Sequence, residues 1–383
     1  MAQVIGDRST TNILSNRLVI DMADKIALLE PNETPFMSFM KIAKKQIRVA
    51  KSYKVEWLED DIGARWDAIN NGAGYNSAAV SIVVDNGDYF TAGDIIKVPR
   101  TLEVISVTSV SSNTLTIVRA FGTTTAAALV DNDPIVIIGN ANEEGSGARG
   151  IKSTTEVPKF NYTQIWKTPF GVTNTQAATT LYGGKDMDYQ RMKKATEHKI
   201  DMARSMYFGE LKQDTSGTNA RRTTKGLLSF LTSNNYDAGG SLTQSEFDNN
   251  ISEVVFQHGS KDKILLCGAR LLSVINGWAL QKLVVNQEAA DKYGLKIFEY
   301  ITPFGTYHLM NDQRLLEGAV YGGYGIVLDP ENVKYCPLEG RDTKLETNIQ
   351  ANDADKREDQ YITEAALEVK LPQTHAVITG VTS

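Results

Sequence analysis

The chain has 383 residues, 42% of them hydrophobic and 22% charged, with a net charge of −6 at pH 7 and two cysteines. That length leaves room for two or three domains with a substantial core, and the proportions are those of an ordinary globular protein rather than a disordered or fibrous one. The acidic balance excludes a protein that grips nucleic acid chiefly through phosphates, no apolar run approaches the roughly 20 residues of a membrane-spanning helix, and Cys267 and Cys336 stand too far apart for a zinc cage or a disulfide framework.

The opening, MAQVIGDRSTTN, has neither the basic region nor the apolar core of a signal peptide, so synthesis in a cytoplasm-like compartment is expected. Residues 1–13 read as a polar arm. Ser15 can cap a short helix on which Leu18, Met22, Ile26 and Leu29 share a face, and Pro31 stops it. Thr34-Pro35 supplies a cap and a first-turn proline for the apolar segment Phe36–Ile42. Lys41–Lys54 is the one concentrated basic stretch, followed at once by Glu56, Glu59, Asp60 and Asp61. A solvated ribbon is the ordinary reading, and complementary patches meeting on neighbouring copies of the chain are the sharper one. A nucleic-acid groove ranks third, because stacking aromatics are not interleaved with those lysines. From Gln46 to Trp57, Ile47, Val49, Tyr53, Val55 and Trp57 alternate with polar residues, as in a strand.

Residues 77–141 break into short β-rich runs, Ala79–Val84, Asp94–Val98, Leu102–Val110, Thr114–Ala120 and Pro134–Ile138, divided by Asn-, Gly- and Asp-rich turns. The spacing predicts a small β-barrel or sandwich. This module has no His, Cys or Trp, and Lys97 is its only lysine. Extended sequence returns at Val157–Val172. Two extended arms therefore bracket the module, and one long hairpin with a domain inserted at its tip is the economical arrangement.

Asp186–Lys212 has the period of one long amphipathic helix, about 40 Å from end to end. Tyr189, Met192, Ala195, Ile200, Met202, Ala203, Met206 and Tyr207 fall on its apolar side, and Arg191, Lys194, Glu197, His198, Asp201 and Arg204 on its polar side. Thr215–Arg222 is a polar turn. Thr243-Gln-Ser-Glu246 forms a capping box ahead of a helix carrying Phe247, Ile251, Val254, Val255 and Phe256 and ending at Gly259. Lys263–Cys267 reads as a buried strand, Ala269–Leu280 as a helix, and Leu295–Thr302 and Thr306–Met310 as strands about a Pro-Phe-Gly turn. Ile326–Leu328 follows a glycine cluster. Gly340–Gln360 is charged and reads as a loop or exposed hairpin, before closing strands at Ala365–Lys370 and Ala376–Val381.

Motifs with chemical meaning are scarce. Gly145-Ser-Gly147-Ala-Arg-Gly150 matches a dinucleotide fingerprint on paper, but β-branched sequence with Pro158 follows where a helix must open. Asp353, Asp355 and Glu364 echo an EF-hand loop with Glu358 where its turn demands glycine. His198, His258, His308 and His375 stand singly, and the adjacent Asp60-Asp61 do not by themselves make a cleft. No residue is put forward as catalytic, cofactor-binding or metal-ligating, and no cofactor is expected. A strut without a reaction site points to building material, not to an enzyme.

The order arm, short helix, long hairpin, strut helix, α+β domain and strand-rich tail resembles the Hong Kong 97-type fold of tailed-bacteriophage major capsid proteins. ADKIALLEPNETPFMSFM at 23–40 is similar to the arm segment of one phage capsid family, and GIVLDPENVKYCPLEGRDTKLETNI at 325–349 to its closing strands. The resemblance implies an N-terminal arm at 1–44 and an extended loop whose arms span 45–76 and 142–172, with the β domain 77–141 inserted between them. It further implies a peripheral domain with the spine helix at 173–240, an axial domain at 241–330, and a return to the peripheral domain at 331–383. The implied function is self-assembly into hexamers and pentamers of an icosahedral virion shell, put together in the host cytoplasm. That shell would enclose double-stranded DNA without sequence-specific binding and without a membrane, with portal, scaffolding and decoration proteins as further partners. An encapsulin-type compartment shares the fold, and an adhesin using the insert to bind glycans is the rival from another class; the insert's lack of tryptophan argues against the latter. Lys44, Lys45, Arg48 and Lys51 are expected to face acids of an adjacent subunit.

Overall fold

The computed structural model describes residues 35–42, 46–179, 185–279, 283–285, 298–312 and 316–382. The polar arm, the helix expected behind Ser15, the Thr34 cap, Lys44 and Lys45, Leu280 and residues 295–297 lie outside them. The chain divides into two compact units, one formed by the residues up to Trp57 together with Lys159–Ser383, the other by Leu58–Pro158.

In the first unit, α1 (Pro35–Ile42) buries Phe36, Met37 and Met40 in the main core. Residues 46–50 then run beside a later strand, and β1 (Lys54–Glu59) turns Val55 and Trp57 inward while Glu56 and Leu58 stay exposed, the two-residue period of a half-buried strand.

The second unit is a β module. It contains β2 (Trp66–Ala68), β3 (Ser81–Val83), β4 (Asp94–Lys97), β5 (Val104–Ser111), β6 (Thr114–Val118) and β7 (Pro134–Asn140). They pair in the order β2-β7-β4-β5-β6-β3, and a bridge from Ile69 to Val84 closes the ring around Ile82, Phe90, Ile96, Ile105, Leu115 and Ile135. All five expected strands form, and the barrel with them. The unit is wider than residues 77–141: β2 supplies a ladder strand from before Asn76, and Arg149 reaches back to Asp94 at 2.6 Å. Sequence reading missed β2 because three residues carry too short an alternation to register. The wider unit also includes a tryptophan, Trp66, 58% exposed on β2.

Back in the first unit, β8 (Val157–Tyr162) pairs with β1, and β9 (Gln164–Thr173) leads through the short α2 (Asn174–Ala178) to α3 (Asp186–Phe208). Helix α3 stops at Phe208 rather than Lys212. The cap at Gly209 is forced by space, since a Cβ there would stand 2.5 Å from the Thr224 carbonyl oxygen. The expected polar turn is a hairpin, β10 (Lys212–Asp214) with β11 (Arg221–Thr223), followed by α4 (Leu227–Phe230) and β12 (Asn235–Gly240). The capping box is present: Thr243 Oγ1 accepts the Glu246 amide and Glu246 Oε2 accepts the Thr243 amide. It starts α5 (Gln244–Glu246), which continues as a π-helical turn, Phe247–Ser252, and α6 (Glu253–Val255).

Strand β13 (Asp262–Cys267), helix α7 (Ala269–Ala279), β14 (Leu283–Val285), β15 (Phe298–Ile301), β16 (Thr306–Asn311) and β17 (Gly325–Leu328) follow. Then come β18 (Val333–Pro337), β19 (Lys344–Glu346), β20 (Lys356–Val369) and β21 (Ala376–Val381). A seven-stranded mixed sheet runs β12-β21-β17-β13-β16-β15-β14. Strand β20 pairs with β9 over ten residues and with β18 and β19 on its other edge. The charged run 340–360 carries an exposed antiparallel hairpin, as expected, with β19 on Gln360–Ile362 of β20, and Lys356–Glu364 also pairs with β9 on the other edge. The tail's expected return to one domain is corrected. The tail divides: β18–β20 join the sheet beside α3, whereas β21 enters the seven-stranded sheet with β12.

Candidate assembly surfaces

Helix α3 is the element around which the first unit is organised. Met202, Ala203, Met206 and Tyr207 are buried with Phe36, Leu227, Leu266 and Leu367, and Tyr207 donates its hydroxyl proton to Asp312 at 2.7 Å. Burial raises the Tyr207 phenol well above its usual range. The expected faces need three corrections. Met192 is 56% exposed, and His198 is buried, with Nδ1 2.8 Å from Thr168 Oγ1 and Nε2 2.8 Å from Thr363 Oγ1. Arg191 also turns toward the sheet, donating to Asp359 on β20 at 2.7 Å, and this ion pair holds the Asp359 carboxyl below the usual range against the cost of burial. The N-terminal half of α3 thus meets polar partners on β9 and β20, so polar residues there do not mark a solvent face.

Arg48 does not wait for a neighbour. Its guanidinium pairs with the fully buried carboxylate of Glu368, whose other oxygen is 3.1 Å from Lys370. Backbone bonds Arg48 N–H to Tyr335 O at 2.9 Å and Ala50 N–H to Pro337 O at 2.8 Å stitch 46–50 along β18. Three of the four expected interface cations are accounted for here or lie outside the described residues, leaving Lys51, which is exposed.

A second polar cluster ties the tail to the seven-stranded sheet. Lys263 is wholly buried and donates to the carbonyls of His258 (3.1 Å) and Thr374 (3.0 Å) and to Asp329 Oδ2 (3.3 Å). Burial lowers its ammonium pKa, and the Asp329 charge opposes that shift. Cys267 and Cys336 are free and buried, and burial pushes both thiols up, out of reach of thiolate chemistry. Among the described residues no group of three or more His, Cys, Asp or Glu is placed to hold a metal ion. Asp355 instead accepts from Asn174, and Glu364 from Thr163 and Arg341. Gly145, Gly147 and Gly150 lie in an irregular connection, not at a helix start.

Two exposed features stand out among the described residues. One is a row of rings and cations on β1, β8, β11 and the bend before β1. Arg222 lies 4.0 Å over the Tyr53 ring, Tyr53 stacks on Tyr162 at 6.3 Å, Tyr162 meets Phe160 edge-on at 5.4 Å, and Lys54 sits 4.4 Å over Phe160. The fold places Phe160 and Tyr162 beside the basic stretch although about a hundred residues of sequence separate them from it, which is why linear reading missed the row. The other feature is the segment 58–63, Leu-Glu-Asp-Asp-Ile-Gly. Leu58 is 66% and Ile62 88% exposed, and neither Asp60 nor Asp61 has an ion-pair partner among the described residues.

The arrangement of spine helix, long paired arms carrying an inserted barrel, and a separate mixed sheet is the Hong Kong 97-type capsid fold. The capsid of a native GTA particle superimposes with a TM-score of 0.50 over 98% of this chain and 99% of that one at 8% identity, and the empty particle's capsid likewise with 0.50 over 96% of each. At that identity the likeness is one of fold. The chain belongs to the SU10 major capsid protein family, whose profile matches residues 6–382, and it is a structural protein of a phage capsid. The major capsid protein of Pseudomonas phage PaMx41 is 24% identical over 330 residues, 79% of this chain and 78% of that protein. Family membership, rather than fold, separates the chain from encapsulin-type compartments, which share the fold, and from the adhesin alternative.

Proposed function

We propose that the chain assembles as hexamers and pentamers into the icosahedral head shell of a tailed phage and encloses double-stranded DNA without reading its sequence. The observation that carries this reading is the family match along nearly the whole chain. In this assignment the residues up to 44 are the arm, and 45–172 the extended loop with its barrel. Helix α3 and the β9-β20-β18 sheet form the peripheral domain, and the seven-stranded sheet with α7 the axial domain. The net charge of −6 suits a shell whose contents must move during packaging and release, because a basic lumen would hold DNA by its phosphates. Assembly takes place in the host cytoplasm, with portal, scaffolding and decoration proteins as further partners, and the chain itself catalyses no reaction.

Negative-stain microscopy of the purified protein tests this reading. Closed shells or capsomer rings are the expected result. Dispersed monomers at every concentration and salt would overturn it.

A further inference from the structure

We infer that the acidic segment 58–63 of one copy docks on the ring-and-cation row of the next copy, as a repeated head-to-tail contact within the shell. This rests on the proposed self-assembly and names the residues of one of its contacts. Two observations on the receiving side point to a partner. Arg222 is stacked on Tyr53 with its guanidinium 4.0 Å over the ring, and it forms no ion pair among the described residues. Tyr53 and Phe160 remain 46% and 36% exposed on either side of Tyr162. Tyrosine, arginine and phenylalanine are the residue types that concentrate binding energy at protein interfaces, where flat rings bury area at low entropic cost.

The donor segment has the matching chemistry. Asp60 and Asp61 spend their carboxylates only on the next backbone N–H along the chain, at 2.9 and 2.8 Å. Leu58 and Ile62 flank them and extend into solvent. Two apolar side chains for the rings and two carboxylates for an unpaired guanidinium make the surfaces complementary in shape class and charge. A nucleic acid on the same rings is disfavoured, because the cation at the far end, Lys54, is already paired with Glu56, which leaves Arg222 as the row's cation without an ion pair among the described residues. The giving and receiving surfaces differ, so the contact is heterologous. Repeated about a rotation axis it closes a ring, the form a capsomer needs.

A charge swap tests it on the full-length protein, with assembly followed by sedimentation and light scattering and folding by circular dichroism. Arg222→Glu alone, and Asp60→Arg with Asp61→Arg, should each leave the subunit folded and raise the concentration needed for assembly roughly tenfold or more. The triple variant carrying both changes should recover most of that loss, since opposite charges again face each other. Two results overturn the contact while leaving self-assembly standing: either single-sided change assembling like the parent, or the triple variant failing to recover. A parent chain that never assembles overturns the contact together with the proposed function. A variant that does not fold is replaced by Arg222→Gln or by Asp60→Asn with Asp61→Asn, for which a smaller loss is expected and no loss counts against the contact.

Discussion

At His375 the imidazole is enclosed on both sides: Nδ1 accepts the Asp329 amide at 3.0 Å, and Nε2 donates to the Lys370 carbonyl at 3.0 Å. Burial lowers its pKa from 6.5 to about 4, helped by the facing Lys263 charge and opposed by the Lys370 carbonyl and Asp329. The unfolded chain therefore binds a proton between pH 6.5 and about 4 that the folded chain refuses. Stability is fully present above the unfolded value and falls as pH drops through that window, by about 3 kcal/mol at most. Urea unfolding at pH 7.5, 6 and 5 should show the decline, and His375→Gln should flatten it. A parallel decline in the variant would place the titrating group elsewhere. On α3, position decides cost more than residue type. Met202 is 1% exposed, so Met202→Ala should cost ~2–5 kcal/mol, and Met202→Asp more, because an unpaired charge would be buried. Met192→Ala and Lys194→Ala should each stay within about 0.5 kcal/mol. Measured unfolding that ranked Lys194 above Met202 would mean the helix faces the other way.

At the scale of elements, the segment 46–50 is held by the backbone bonds of Arg48 and Ala50 to β18, by the Gln46 side-chain bond to the Pro330 carbonyl and by the Arg48–Glu368 pair. Arg48→Ala leaves Glu368 buried with Lys370 as its remaining cation, a loss of about 1–3 kcal/mol. Amide exchange at Ala50 should speed up in that variant while exchange in β13 keeps pace with global unfolding, and equal acceleration at both would deny that 46–50 is a separable strap. Elements were legible where local pattern and tertiary role agree. The Thr243–Glu246 capping box, the Lys263–Cys267 strand and the module's alternating runs all formed as read. Reading failed where a partner far along the chain overrides local preference. Asn235–Gly240 is glycine-rich, yet it is a strand because β21 lies parallel to it, and the charged Lys356–Glu364 extends its strand through antiparallel pairing with β9. His198 looked polar-facing because the helical period reports only where a side chain points. It cannot report that β9 and β20 offer Thr168 and Thr363 there. The exposed ring row was the least legible part, since Phe160 meets Lys54 and Tyr162 meets Tyr53 only once β8 pairs with β1.

For the whole molecule, the question is whether the barrel contributes to folding or is carried by a subunit complete without it. Its core is its own: Ile69, Ile82, Phe90, Ile96, Ile105, Leu115, Ile135 and their neighbours form one cluster, while α3 and the large sheets are packed by others. Its buried carboxylates are also answered within it, Glu103 by Arg119 at 2.7 Å and Asp133 by Arg100 at 2.6 Å, and those arginines hold both carboxyls below their usual range. The two chain crossings run through the paired strands β1 and β8, so a short linker can close the stem at small entropic cost. Replacing 60–156 by a Gly/Ser linker should leave the helical circular-dichroism signal and a single cooperative transition. Removing only 77–141 should do worse, because it strands Trp66, Ile69 and Arg149 without β7, Val84 and Asp94, and leaves apolar surface that invites aggregation. Equal behaviour of the two deletions would mean that β2 and the return segment do not belong to the barrel. A longer deletion that cannot fold would make the barrel part of the subunit's folding unit, and β1 and β8 would then be stabilised by the module rather than by each other.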